Sequence, residues 1–179
     1  MEGGVGGGTG GSPQDARNTD RAYDELRAYK KIPSPVEAEA PDELTVGADL
    51  VKQAEFANAI PHLERALARD PNNAVILIYL GFSHRMIGAG LFGDARDDEF
   101  KKALGYYRQA LRIDPNNRLL HEFLGKLYVL MKNRESAESE LKTLETLCPS
   151  GCVERSALSE VVLIYKANLV PPASPPQQK

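Results

Sequence analysis

The sequence has no surplus of basic charge. Its 22 Lys and Arg face 25 Asp and Glu, for a formal net charge of -3 and a pI near 5.7. No basic field exists to hold a phosphate backbone, so nucleic acid is not an expected partner. Long apolar runs are also missing. The longest, Ala74 to Phe82, is nine residues, against the roughly 20 that a membrane-spanning helix needs, so no membrane span is expected. Catalytic signatures are absent too: there is no Gly-x-Ser-x-Gly, no His-Glu-x-x-His, and no nucleophile with an obvious base. Cysteine and histidine are scarce, at two and three residues, and the only cysteine pair has no matching pair of ligands at zinc spacing. The expectation is therefore a protein without catalysis, metal or cofactor. As written, the chain opens Met1-Glu2-Gly3 without the basic and apolar stretches of a secretory leader, which reads as cytoplasmic. The two cysteines would suit a periplasmic or exported setting if a leader stood upstream.

What is present is unevenly distributed. Seven of the fifteen glycines fall in the first eleven residues and four of the twelve prolines fall after Val170, which leaves both ends too little apolar content to offset ordering entropy. Residues 1–17 and 169–179 read as disordered tails. The glycines of the first tail are not a phosphate loop, because no Gly-Lys-Ser/Thr follows. Over 18–31, Ala22, Tyr23, Leu26 and Tyr29 share one side of a predicted amphipathic helix that Thr19 can cap; Pro33 and Pro35 then open a linker over 32–39.

The middle of the chain repeats. Asp70-Pro71-Asn72-Asn73 returns 44 residues later as Asp114-Pro115-Asn116-Asn117. Gly47, Gly81 and Gly125 are separated by 34 and then 44, and Ala59, Ala103 and Ala137 by 44 and then 34. A 34-residue unit with one ten-residue insertion, near Ala89 to Asp98, accounts for both series. The insertion holds Gly90, Gly93 and several acidic residues and reads as a long solvated turn. Each unit reads as two helices, with small residues such as Gly81 and Ala103 allowing close approach beside Leu80 and Tyr107. The closing proline reads as the start of the next first helix, where its missing donor costs nothing.

This unit resembles the tetratricopeptide repeat. Val46-Gly47, Ala59, Leu63, Ala66 and Pro71 fit its pattern in the first unit, 40–73. Leu77, Leu80-Gly81, Ala103, Tyr107, Ala110 and Pro115 fit in the second, 74–117. Leu124-Gly125, Tyr128, Ala137, Leu141 and Pro149 fit in the third, 118–149. The resemblance implies an all-α fold, a right-handed α-solenoid of three helix-turn-helix repeats. Residues 150–168 supply a turn and a C-terminal capping helix, with Ala157, Leu158, Val161, Val162, Ile164 and Tyr165 to bury one face. The whole is similar to small bacterial repeat proteins that end in Cys-x3-Cys and a closing helix. Glu43, where a large apolar residue is expected, points to a frayed or differently covered first unit, and Pro61 to at most a local bend in a second helix.

Cys148 and Cys152 flank Pro149-Ser150-Gly151, a turn that can bring them within bonding reach as a structural disulfide. The rival reading is a thiol redox pair, for which three intervening residues and the neighbouring Glu145 and Glu154 are unfavourable. His84 and His121 occupy core-facing places, and with His62 they read as packing histidines. Asp94, Asp97, Asp98 and Glu99 lack calcium-loop spacing and read as a solvated turn or an acidic docking point.

The resemblance also implies a partner-binding groove along the first helix of each unit. It would be lined by Leu44, Ala48 and Val51, by Val75, Ile78, Phe82 and Arg85, and by Leu119, Glu122, Lys126 and Val129. Ile78 and Phe82 are the expected central anchors for an apolar helix or extended peptide. Some relatives hold acidic chaperone tails through Lys and Asn at places that here carry Leu44, Ala48, Ile78 and Phe82, so that ligand is not expected. The predicted function is a non-catalytic protein-binding module or assembly scaffold for an unknown protein or peptide. Alternatives are a self-associating structural protein, in which a second copy or residues 19–31 cover the groove, and a thiol redox protein.

Overall fold

A computed structural model describes residues 42–169. The expected tails (save Leu169), helix 18–31 and linker 32–39 lie outside the described residues. Seven helices follow: α1 (Glu43–Lys52), α2 (Phe56–Arg69), α3 (Ala74–Ala89), α4 (Gly93–Ile113), α5 (Arg118–Leu130), α6 (Arg134–Leu147) and α7 (Val153–Leu169), with no strand among the described residues. Each odd helix pairs with the even helix after it as a hairpin, α1 with α2, α3 with α4 and α5 with α6. The hairpins stack through α2 on α3 and α4 on α5, and α7 closes the last one by packing on α5 and α6.

The repeated small residues set this packing. A Cβ on Gly47 would come within 2.7 Å of Leu63, and one on Gly81 within 2.5 Å of the Tyr107 ring. Gly125 departs from the series, because the atoms nearest its missing Cβ belong to Leu158 of the cap, at 2.4 Å. Ala59, Ala103 and Ala137 are fully buried beneath them.

Asp-Pro-Asn-Asn turns out to be a helix-start device. Asn73 is the N-cap of α3, its Oδ1 accepting from the amides of Val75 and Ile76 at 3.1 and 3.3 Å, and Asp70 holds the cap by accepting from its Nδ2 at 2.9 Å. Asn117 does the same at α5, accepting from the Leu120 amide at 3.0 Å while donating to Asp114 at 3.0 Å. Pro71 and Pro115 therefore sit in the turn, before the cap, and not at the first helical position. Such caps satisfy amides that have no partner in the helix.

The insertion is not a long turn. It lengthens α3 and α4, so that only Gly90, Leu91 and Phe92 stand outside helix, and Gly93 turns the chain with φ of +61°. Asp98 pairs with Lys101 and Glu99 with Lys102 along the added segment, and Phe100 is buried against Gly88. Nor is the first unit frayed at Glu43. Its carboxylate accepts from Arg65 Nε at 2.9 Å and lies 2.7 Å from His62 Nδ1. The α2 helix runs unbroken through Pro61. The cap buries Ala157, Leu158 and Val162, but Ile164 points outward, 53% exposed.

Candidate protein-binding face

One helix from each hairpin contributes to a common face, since α1 packs beside α3 and α3 beside α5. Along α1 this face carries Leu44, Ala48 and Val51, all buried. On α3, Ile78 and Phe82 are 0% and 1% exposed, whereas Val75 and Arg85 are half-buried. On α5, Leu119, Glu122 and Lys126 are buried and Val129 is half-buried. Ile78 and Phe82 are thus the floor of the face. An incoming ligand meets Val75, Arg85 and Val129 before it meets them.

An aromatic cluster fixes that floor. The Phe82 ring lies 5.4 Å from Phe123 and 5.9 Å from Phe56, and Phe123 lies 6.1 Å from Tyr107. The Arg85 guanidinium sits over two of these rings, 5.0 Å from the centroid of Phe82 and 5.5 Å from that of Phe123, within cation–π range. Its Nε is buried on the side of the Tyr107 hydroxyl. Burial pushes the Tyr107 hydroxyl up to about 12, opposed by the nearby Arg85 charge. One turn along α5, Lys126 donates to Glu122 at 2.5 Å, a pair 10% and 3% exposed in its side chains. That pairing engages Lys126, and Arg85 is the other cation among the described residues assigned to this face. The sequence carried no sign of the stacking, because Phe123 comes from a different repeat.

The other predicted residues are placed away from this face. Cys148 and Cys152 form a disulfide, with Cα atoms 5.9 Å apart. Cys148 is buried, and Arg155 of α7 donates to the carbonyls of Cys148 and Pro149, so the bridge ties the end of α6 to the cap. The three histidines do not converge: each meets one glutamate across its own hairpin, His62 with Glu43, His84 with Glu99 and His121 with Glu140. His84 also stacks on Tyr106, beside a cleft of about 500 Å³ lined by Ile60, Glu64 and Ile87. Among the described residues no three His, Cys, Asp or Glu side chains are grouped to hold a metal, and no helix is long and apolar enough to cross a membrane.

Residues 94–145 match the family model of the tetratricopeptide repeat. Solved structures extend the likeness beyond that stretch. A tetratricopeptide protein of Thermus thermophilus is 24% identical with a TM-score of 0.61, over 84% of this chain and 76% of its own. The fold is that of the tetratricopeptide repeat. The second such domain of human RPAP3, solved with an HSP70 peptide, is 18% identical at a TM-score of 0.56, over 67% of this chain and 92% of that one. PcrH, solved with the chaperone-binding region of PopD, is 13% identical at 0.56, over 74% and 96%. No curated protein matches the chain in sequence. Tetratricopeptide folds generally serve protein interaction and not catalysis, and several neighbours of this structure are bound to peptides or protein partners.

Proposed function

We propose that the chain is a non-catalytic protein-binding module that takes an apolar helix or extended peptide on the face of α1, α3 and α5, with Arg85 as the polar contact at its centre. The observation that carries this reading is the half-buried Arg85 guanidinium held over Phe82 and Phe123. Its part-exposed charge can meet a ligand carbonyl or carboxylate, a charge-assisted bond stronger than a neutral one. Val75 and Val129 are half-buried on the same face and supply apolar contact. The peptide-bound RPAP3 domain and PcrH support the mode of binding, though their ligands are their own. The burial of Cys148 speaks for a structural bridge over a thiol redox function.

The test uses Arg85→Glu and Val129→Asp, singly and together, on half-buried positions that tolerate change better than the buried floor. Full-length wild type and variants are compared as baits in extract of the native host, with helix content checked by circular dichroism. A protein retained by the wild type and lost by the folded variants supports the reading. Equal retention by both sinks it. If the wild type instead gains mass with concentration and the variants do not, the face pairs copies of the chain.

A further inference from the structure

His62 and Glu43 occupy the same two places in the first hairpin as Glu140 and His121 in the third, but with the residues exchanged. Glu43 and His121 each stand four residues before the repeat glycine, Gly47 or Gly125, and His62 and Glu140 each three residues after the repeat alanine, Ala59 or Ala137. The contact is the same in both, Nδ1 to Oε2 at 2.7 Å. The second hairpin has Leu77 and Tyr106 at those places.

The two pairs differ in where their positive charge comes from. In the first hairpin Arg65 donates to both oxygens of Glu43, at 2.9 and 3.0 Å, so the carboxylate has a permanent cation whatever the state of His62. In the third hairpin no arginine among the described residues shares the contact. There His121 is buried, and both of its ring nitrogens face acceptors: Nδ1 faces Glu140 at 2.7 Å and Nε2 faces the Pro115 carbonyl at 2.9 Å. A neutral imidazole has one N–H and can satisfy one of them; only the imidazolium donates to both.

We propose that His121 is a proton-operated clamp, which in its charged form ties α5 to α6 through Glu140 and to the α4–α5 turn through Pro115, and which releases the third hairpin when the proton is lost. The charged groups acting on it are Glu140 from α6 and Asp114 at the end of α4, both favouring the cation. From α3, Arg85 lies over Phe123, and from α7 the packed group is the apolar Leu158 against Gly125. On its own helix, Glu122 is paired with Lys126. Burial disfavours the charged ring, yet the Glu140 and Pro115 bonds and the Glu140 and Asp114 charges outweigh it, and the affinity for the proton rises. A folded pKa above the unfolded one gives stability that is complete below the unfolded value and is lost as pH climbs through the folded value. The third hairpin also carries Glu122, Lys126 and Val129, so the clamp sets the rigidity of that third of the binding face. The clamp does not depend on which ligand the face takes.

Nuclear magnetic resonance of the full chain reads the clamp directly. The expected result is that His121 titrates above the 6.5 of a free histidine, with both nitrogens protonated at about pH 6, and that α5 and α6 amides lose exchange protection as the pH range above 6.5 is crossed, after correction for intrinsic rates. Thermal unfolding supplies the second readout. The wild-type midpoint falls across that range, His121→Gln abolishes most of the fall, and His62→Gln leaves it in place. The exchanged variant, His121→Glu with Glu140→His, keeps the contact in the orientation of the first hairpin and restores part of the fall. A His121 that is neutral at about pH 6 overturns the proposal on the wild type alone. So does a His121→Gln variant with an unchanged pH dependence.

Discussion

The close approach at Gly81 can be tested by adding a single methyl group. In Gly81→Ala the new Cβ lies 2.5 Å from two carbons of the Tyr107 ring, about 1 Å inside ordinary contact. Tyr107 has little room to yield, being fully buried with its ring 6.1 Å from Phe123. Overpacking of this kind costs about 1–3 kcal/mol, and the rigid surroundings place it near the upper end. Alanine in a helix interior returns about 1 kcal/mol relative to glycine. The net loss is about 2 kcal/mol. Gly105→Ala is the control: it sits within α4 with nothing inside 4 Å of its missing Cβ, so only the helix gain of up to about 1 kcal/mol remains. Urea unfolding followed by far-ultraviolet circular dichroism measures both. The midpoint falls by about 1 M for Gly81→Ala and rises for Gly105→Ala. A Gly81→Ala protein as stable as the wild type refutes the packing argument.

Further outcomes follow from other contacts. Reduction of the Cys148–Cys152 bridge, or its replacement by two serines, is expected to cost about 2 kcal/mol by the loop-entropy relation for so short a loop, with added reductant lowering the melting temperature of the wild type and leaving the serine variant unchanged. Asn117→Ala removes the cap of α5 and is expected to cost about 1 kcal/mol in the same urea assay. Arg65 and His62 hold the Glu43 carboxyl down at about 2. Its contribution is therefore complete above the ordinary 4.5 and is lost as pH falls toward 2, so an acid titration of helix content for Glu43→Gln is shallower than for the wild type over that interval.

The hairpins, their order and their contact residues were legible because one short unit recurs: Gly47, Gly81 and Gly125 keep register with Ala59, Ala103 and Ala137, and both sets mark where helices touch. What misled were features whose meaning depends on distant partners. Glu43 breaks the apolar pattern when read alone, yet His62 and Arg65, 19 and 22 residues away, complete it. The insertion has the glycines and acidic residues of a loop, but from Gly93 on it is helix, with Asp98 paired to Lys101 and the adjoining Glu99 to Lys102. Asn73 and Asn117 are residue types that favour helix caps, and they, not the neighbouring prolines, start α3 and α5. The family resemblance named the face residues on α1, α3 and α5. It could not give their exposure, since burial of Ile78 and Phe82 arises from aromatic neighbours in other helices. That difference moves the useful ligand contacts to Arg85, Val75 and Val129.

The central claim is that the face of α1, α3 and α5 receives another protein. Photo-cross-linking in native extract tests it most directly, with a photoreactive side chain placed in the full chain at Val75, Arg85 or Val129, and at exposed Lys142 on α6 as the control. The account predicts a cross-linked partner from the three face positions and none from Lys142. Products that arise equally at Lys142, or that contain only this chain, contradict it.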